Sequence, residues 1–187
     1  MKTVDDYLDA ANLPELDGRY AEANAHYEKV LELQPDFPEA YDNRAGNWME
    51  LGEYARAIAD YEKVIAYWPD YPGAHDNLAH IYIFAEDSSF HNNRLALRHA
   101  RRACELCQFS EHVPVSTLAA AHAANGQYAD AIRLQEKAIW VASGELESEL
   151  WIPELNEQLI EYRQKHAEQY KNAGWFAWLF GRSPKHK

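Results

Sequence analysis

The chain has 187 residues, carries 18 Lys and Arg against 30 Asp and Glu for a net charge of −12, and is 47% hydrophobic. That apolar content excludes a disordered polymer, and no stretch approaches the roughly 20 apolar residues of a membrane-spanning helix. Residues 1–89 hold 19 Asp and Glu against 6 Lys and Arg; such a surface disfavours nucleic-acid phosphates and suits a basic or neutral partner, or serves solubility alone.

The chain opens on MKTVDDYLDA, which has no apolar run and carries acids where a secretory signal is basic, so a cytoplasmic address is expected. Pro14 falls within the first helical stretch, where it removes a hydrogen bond and clashes. The expectation is a short helix at 3–11, a break at Asn12-Leu13-Pro14, and a degenerate first unit suited to the end of a stack.

Gly18, Tyr20, Ala23, Tyr27 and Pro35 then return as Gly52, Tyr54, Ala57, Tyr61 and Pro69, each displaced by 34 residues. A fixed period of this length marks a stack of one supersecondary unit. Gly18 and Gly52 sit where a helix must end and the chain reverse, a role for a residue tolerant of positive φ. Ala23, Tyr27 and Val30/Leu31, matched by Ala57, Tyr61 and Val64/Ile65, follow a helical stripe in which small residues admit the paired helix and tyrosine fills the gap. Pro35 and Pro69 are expected to stop that helix and restart the next. Each unit is a helical hairpin.

These residues resemble the tetratricopeptide repeats. LDGRYAEANAHYEKVLELQP (16–35) and ELGEYARAIADYEKVIAYWP (50–69) match the second-helix half of that motif, and AANGQYADAIRLQEKAI (123–139) is a further copy with Gln135 in the place of Tyr27 and Tyr61. Between them HDNLAHIYIFA (75–85) aligns with YDNRAGNWMEL (41–51), but RLALRHARRACELC comes late because of extra residues within 86–91, and one more near 107–111 completes the offset of the next copy. From about 75 to 165 the order of segments is similar to a common bacterial variety. The resemblance implies an all-α, right-handed superhelical solenoid of antiparallel helix pairs. Its hairpins are expected at 4–37, 38–71, 72–107 and 112–142, followed by a capping helix at 147–172 on the stripe Trp151, Leu155, Leu159 and Tyr162, widened by Ile152 and Ile160.

The resemblance also implies a function: binding a peptide or helix of another protein in a groove lined by the first helix of each hairpin. Asp42-Asn43 and Asp76-Asn77 recur at the same period, and both asparagines stand where the family commonly faces peptide. Asn offers two donors and an acceptor to a peptide backbone whatever its side chains are; the same residues also suit helix-to-helix hydrogen bonds. The expected groove is Asn12, Asp42, Asn43, Asp76, Asn77 and His80, with Asp5, Glu39 and Glu50 nearby. Leu8 and Gly73 stand where the carboxylate clamp of chaperone-binding members needs basic residues, so an acidic chaperone tail is not the expected ligand.

The residues at 173–187 lie outside the period. Trp175, Phe176, Trp178, Leu179 and Phe180 fall within six residues, followed by Arg182, Lys185 and Lys187. Three placements fit: an interfacial membrane anchor, a docking peptide for a partner, or a return onto the capping helix. The first two sustain an alternative function, an assembly factor tethered to a membrane or a large complex by its tail.

Arg94, Arg98, Arg101 and Arg102 make a basic stripe that suits a solvated face or contact with phosphate or an acidic partner. Cys104 and Cys107 form a CxxC pair at a helix end, where neither a four-ligand metal site nor a redox motif is completed, so both are read as structural. The nine histidines are scattered and contain no HExxH string, so no metal is expected. No phosphate-cradling loop, nucleophile motif or paired carboxylates occur, which points away from an enzyme or a cofactor. The oligomeric state is not legible.

Overall fold

A computed structural model describes the backbone at residues 3–16, 18–145 and 148–179, and side chains there other than at 12, 13, 15, 16 and 172–179. Two compact units divide the chain, Met1–Phe109 and Ser110–Lys187. All described regular structure is helical.

The first unit holds three helix pairs: α1 (Val4–Leu16) with α2 (Tyr20–Leu33), α3 (Pro38–Glu50) with α4 (Tyr54–Tyr67), and α5 (Pro72–Phe84) with α6 (Asn93–Leu106). Short turns join the first two pairs because Gly18 and Gly52 adopt φ of +71° and +72°. At the end of α3, Gly52 N–H donates to the Met49 carbonyl at 2.9 Å and Glu53 N–H to the Trp48 carbonyl at 2.8 Å. These two bonds satisfy carbonyls that a helix end otherwise leaves open. α6 closes with the same pair of bonds, Gln108 to Glu105 and Phe109 to Cys104, with both non-glycine residues at positive φ.

Two expectations need correction. α1 runs unbroken through Pro14. The proline sits in the last turn, where it removes one ladder bond; its ring is buried and its carbonyl accepts from Arg19 N–H at 2.7 Å. The roles given to Pro35 and Pro69 are also divided. Each follows a helix end, after Gln34 and Trp68, but the next helix is started by Pro38 or Pro72, where the missing N–H costs nothing.

Alanine sets the spacing of the helices. Ala11, Ala23 and Ala40 are wholly buried around Tyr27 and Val30, and Ala45, Ala57 and Ala74 around Tyr61, Val64 and Leu78. The extra residues at 86–91 form a folded connection. Asp87 caps a 3-10 turn at Ser88–Phe90, the His91 imidazole bonds the Ala85 carbonyl, and Phe90 packs on Tyr54 with ring centres 5.6 Å apart. Cys104 and Cys107 are buried thiols in and beside α6. Among the described residues no group of three or more His, Cys, Asp or Glu is placed to hold a metal ion.

The second unit contains α7 (His112–Ala124), α8 (Tyr128–Ala142) and α9 (Ser148–Leu179). Gly126, at φ +71°, makes the α7–α8 turn. Gln135 is completely buried, and its amide nitrogen donates to the Leu155 carbonyl at 3.0 Å and to Gln158 at 2.9 Å, while the single Ser116 hydroxyl proton is shared between the side-chain oxygens of both glutamines, each 3.2 Å away. A polar residue in the place of Tyr27 and Tyr61 thus ties α8 to α9. Leu155, Leu159 and Tyr162 face inward, but Ile160 is 54% exposed. It lies about 100° around the helix from Leu159, so it does not widen the apolar face.

Alanine in place of two glycines of α3 and its turn has opposite expected effects. Gly46→Ala adds a methyl whose nearest neighbour is the Tyr61 hydroxyl at 3.9 Å, and should stabilise by about 0.5–1 kcal/mol in a helix interior. Gly52→Ala meets open space but φ +72°, and should destabilise by roughly 1 kcal/mol. Urea denaturation of the two variants checks the signs; a stabilised Gly52→Ala would contradict the turn assignment.

Candidate functional site

The first helices of the second and third pairs present matching stripes. On α3 these are Glu39, Asn43, Gly46 and Glu50; on α5, 34 residues on, they are Gly73, Asn77, His80 and Phe84. The spacing of four, three and four keeps each set on one side of its helix. Asn43, His80 and the two glutamates are exposed, Asn77 is half-buried, and Phe84 is 51% exposed with its ring 4.8 Å from that of His80. The Asn77 amide lies close to the buried Tyr61 hydroxyl, which donates to Met49 Sδ at 3.4 Å. Burial pushes the Tyr61 phenol far above its ordinary range.

The two aspartates point elsewhere. One residue along a helix is about 100° of rotation, and this turns Asp42 and Asp76 toward the packed side. Asp42 accepts from the Tyr71 hydroxyl at 3.0 Å. Burial raises its pKa, the Tyr71 bond opposes the rise, and Glu39 adds to it. The Tyr71 phenol is pushed up to about 12 by burial and by Asp42. Asp76 is 8% exposed. The structure therefore brings Asn43, Asn77 and His80 into one class of surface position and draws both aspartates into the framework. The Asn12 side chain, and the tail side chains Trp175, Phe176, Trp178, Leu179 and Phe180, lie outside the described residues; the α9 backbone itself runs to Leu179.

Several polar pairs behind this face were missed because they do not repeat. Asn47 donates to Asn24 at 3.0 Å in a buried contact between α3 and α2. Arg44 grips Asp60 with two bonds of 2.8 Å, the side chains only 17% and 9% exposed. Such a bidentate pair fixes the α3–α4 geometry more narrowly than apolar contact alone. One period later Arg44 and Asn47 become Leu78 and Ile81, so the period carried no signal for them.

On the third pair, His75 and His99 meet with their Nδ1 atoms 3.0 Å apart, and an Arg98 Nη2 stands 3.2 Å from His99 Nε2. Arg98 is donor only, so His99 Nε2 accepts and the His99 proton lies on Nδ1. That proton is donated to His75 Nδ1. The relay requires both rings neutral. Burial first, then His75 and Arg98, lower His99 to about 4; burial and the charges of Arg102 and Arg98 also lower His75. Tyr82 is the other titratable ring close by, 6.0 Å from His99.

A depressed folded-state pKa means that the unfolded chain takes up the proton first on acidification. The His99 contribution is present above about pH 6.5 and is lost as pH falls toward about 4. Denaturation midpoints measured at pH 7, 5.5 and 4.5 should fall less steeply for His99→Gln than for the wild type. Parallel curves would refute the relay.

Three tetratricopeptide-repeat models match the chain, over residues 7–37, 49–83 and 116–139. No curated protein sequence matches it. Among solved structures, a tetratricopeptide-repeat protein of Thermus thermophilus is 20% identical, with 98% of this chain and 93% of that one covered and a TM-score of 0.66. MamA of Desulfovibrio magneticus is 15% identical, covering 90% and 93%, with a TM-score of 0.67. PilF of Pseudomonas aeruginosa is 18% identical, covering 98% and 78%, with a TM-score of 0.70. At these identities the likeness is one of fold, and it agrees with glycine-turned hairpins built on buried alanine. With three repeat models on the sequence and hairpins of this kind in both units, the chain belongs to the tetratricopeptide-repeat family.

Proposed function

We propose that the α3 and α5 stripes receive an extended or helical segment of another protein, with Asn43 and Asn77 bonding its backbone. The observation that carries this reading is the recurrence, 34 residues apart, of an outward asparagine on successive first helices. The framework behind them does not need Asn43, whose side chain is exposed, and Asn77 is half-buried on a helix held by its neighbours. Preorganised amides lower the entropic cost of binding. Phe84 and His80 supply apolar contact at one end, while Glu39 and Glu50 favour a basic or neutral segment over an acidic one. The chain thus works as a scaffold whose ligand is held chiefly by main-chain hydrogen bonds.

Photo-crosslinking from positions 43 and 80 in the full chain, with positions 56 and 62 of α4 as controls, tests the face. Adducts to a common partner are expected from the first two positions alone. With the recovered partner, Asn43→Ala/Asn77→Ala should weaken binding by roughly tenfold, two hydrogen bonds being worth about 1–3 kcal/mol together, and Asn43→Ala alone, at an exposed position, should weaken it with little change in the melting curve. Equal adducts from α4, or unchanged affinity in the double variant, would move the site elsewhere.

A further inference from the structure

The arginines of α6 are left unexplained by that reading. Ala96, Ala100, Ala103 and Cys104 turn one side of α6 into the core, so the arginines lie on the remaining sides. There they border an open depression of about 710 Å³ lined by Arg94, Arg98, Arg101, Arg102, Ile65 and Leu97, with His75, His99 and Glu105 at its wall. Arg102 is already used: it bonds Asp70 at 2.8 Å and stands 4.0 Å from Glu105. Among the described residues, Arg94, Arg98 and Arg101 have no carboxylate within ion-pair distance. Like charges spaced four and three residues apart destabilise a helix, so three guanidinium groups are kept side by side at a cost in a chain whose net charge is −12.

We propose that this depression docks an acidic segment of a protein partner, its carboxylates on Arg94, Arg98 and Arg101 and an apolar side chain on Ile65 and Leu97. The site is separate from the α3 and α5 stripes and takes a ligand of opposite charge. The three arginines extend over about 10 Å of helix, at 1.5 Å per residue, which suits a row of carboxylates better than one phosphate group. The apolar floor distinguishes a peptide from a bare polyanion. Beyond a Debye length of about 8 Å the acidic surroundings are screened, so a short segment meets the local positive field, whereas a long nucleic acid would also meet the acidic surface. The His75–His99 relay gives the site part of its order. His99 stays neutral at physiological pH and accepts from Arg98, which holds that guanidinium at the wall in the absence of a ligand.

Fluorescence anisotropy with the full chain tests this. The probe is a short labelled peptide with glutamates spaced four and three residues apart around a leucine; its glutamine counterpart and tripolyphosphate are the comparison ligands. The glutamate peptide should bind saturably. Arg94→Glu/Arg101→Glu should weaken it by at least about tenfold, as expected for loss of two charge-assisted bonds. The glutamine peptide should be weaker by a similar factor, and Asn43→Ala/Asn77→Ala should bind as the wild type does. Both arginines replaced are exposed, and an unchanged thermal midpoint verifies the fold. Equal binding of the two peptides, no saturable binding, or an arginine variant that binds normally would overturn the proposal. Displacement of the peptide by tripolyphosphate at lower concentration than by unlabelled peptide would also overturn it, in favour of a phosphate site. Loss of binding only in the asparagine variant would return the ligand to the α3 and α5 face.

Discussion

The distance at which two helices can pack is set by the smallest side chains at their crossing, and nearly everything else in this protein follows from that limit. Alanines with no exposed surface occupy the crossings of the helix pairs, so backbones approach closely and the remaining gap is filled by one larger residue per pair, Tyr27 or Tyr61. Close approach also demands a short connection. A glycine at positive φ lets the chain reverse within a few residues while closing the carbonyls of the preceding helix.

Within that spacing, four of the helix contacts carry a polar lock of their own. Asn24 and Asn47 join α2 to α3, Arg44 and Asp60 join α3 to α4, His75 and His99 join α5 to α6, and in the second unit Gln135 joins α8 to α9. Repetition of apolar contacts alone would permit neighbouring units to pair in more than one register. A buried donor that finds its acceptor in only one arrangement penalises the others by the cost of an unmade bond. The locks differ from one another, which gives otherwise similar hairpins distinct neighbours.

The outward faces divide the chemistry. First helices α3 and α5 carry amides and acids, and second helix α6 carries arginines. The apolar packing of these helices comes from other positions, chiefly alanine, leucine and isoleucine, so it does not call for exposed Asn43, His80 or the arginine row. Phe84 and the arginine row both carry a solvation or repulsion cost that the isolated fold does not offset, and they are therefore where an association would release free energy.

The 34-residue period, the glycine turns and the alanine stripe were legible from residue order alone, because each is a local requirement repeated along the chain. Pro14 shows the boundary of such reading: the rule against interior proline is sound, but whether it breaks a helix depended on its lying in the last turn with a buried ring. Ile160 shows the same, being apolar in type and exposed in place. For the site, the sequence marked both members of the Asp-Asn doublets, and only packing separated them, sending Asp42 to Tyr71 and leaving Asn43 in solvent. The polar locks and the His75–His99 relay had no sequence signal, since their partners lie 16 to 24 residues apart and do not recur with the period. Periodicity thus determined which residues are helical and which side is apolar, whereas the identity of each residue's partner was decided by three-dimensional juxtaposition, because a side chain bonds what is near in space and not what is near in the chain.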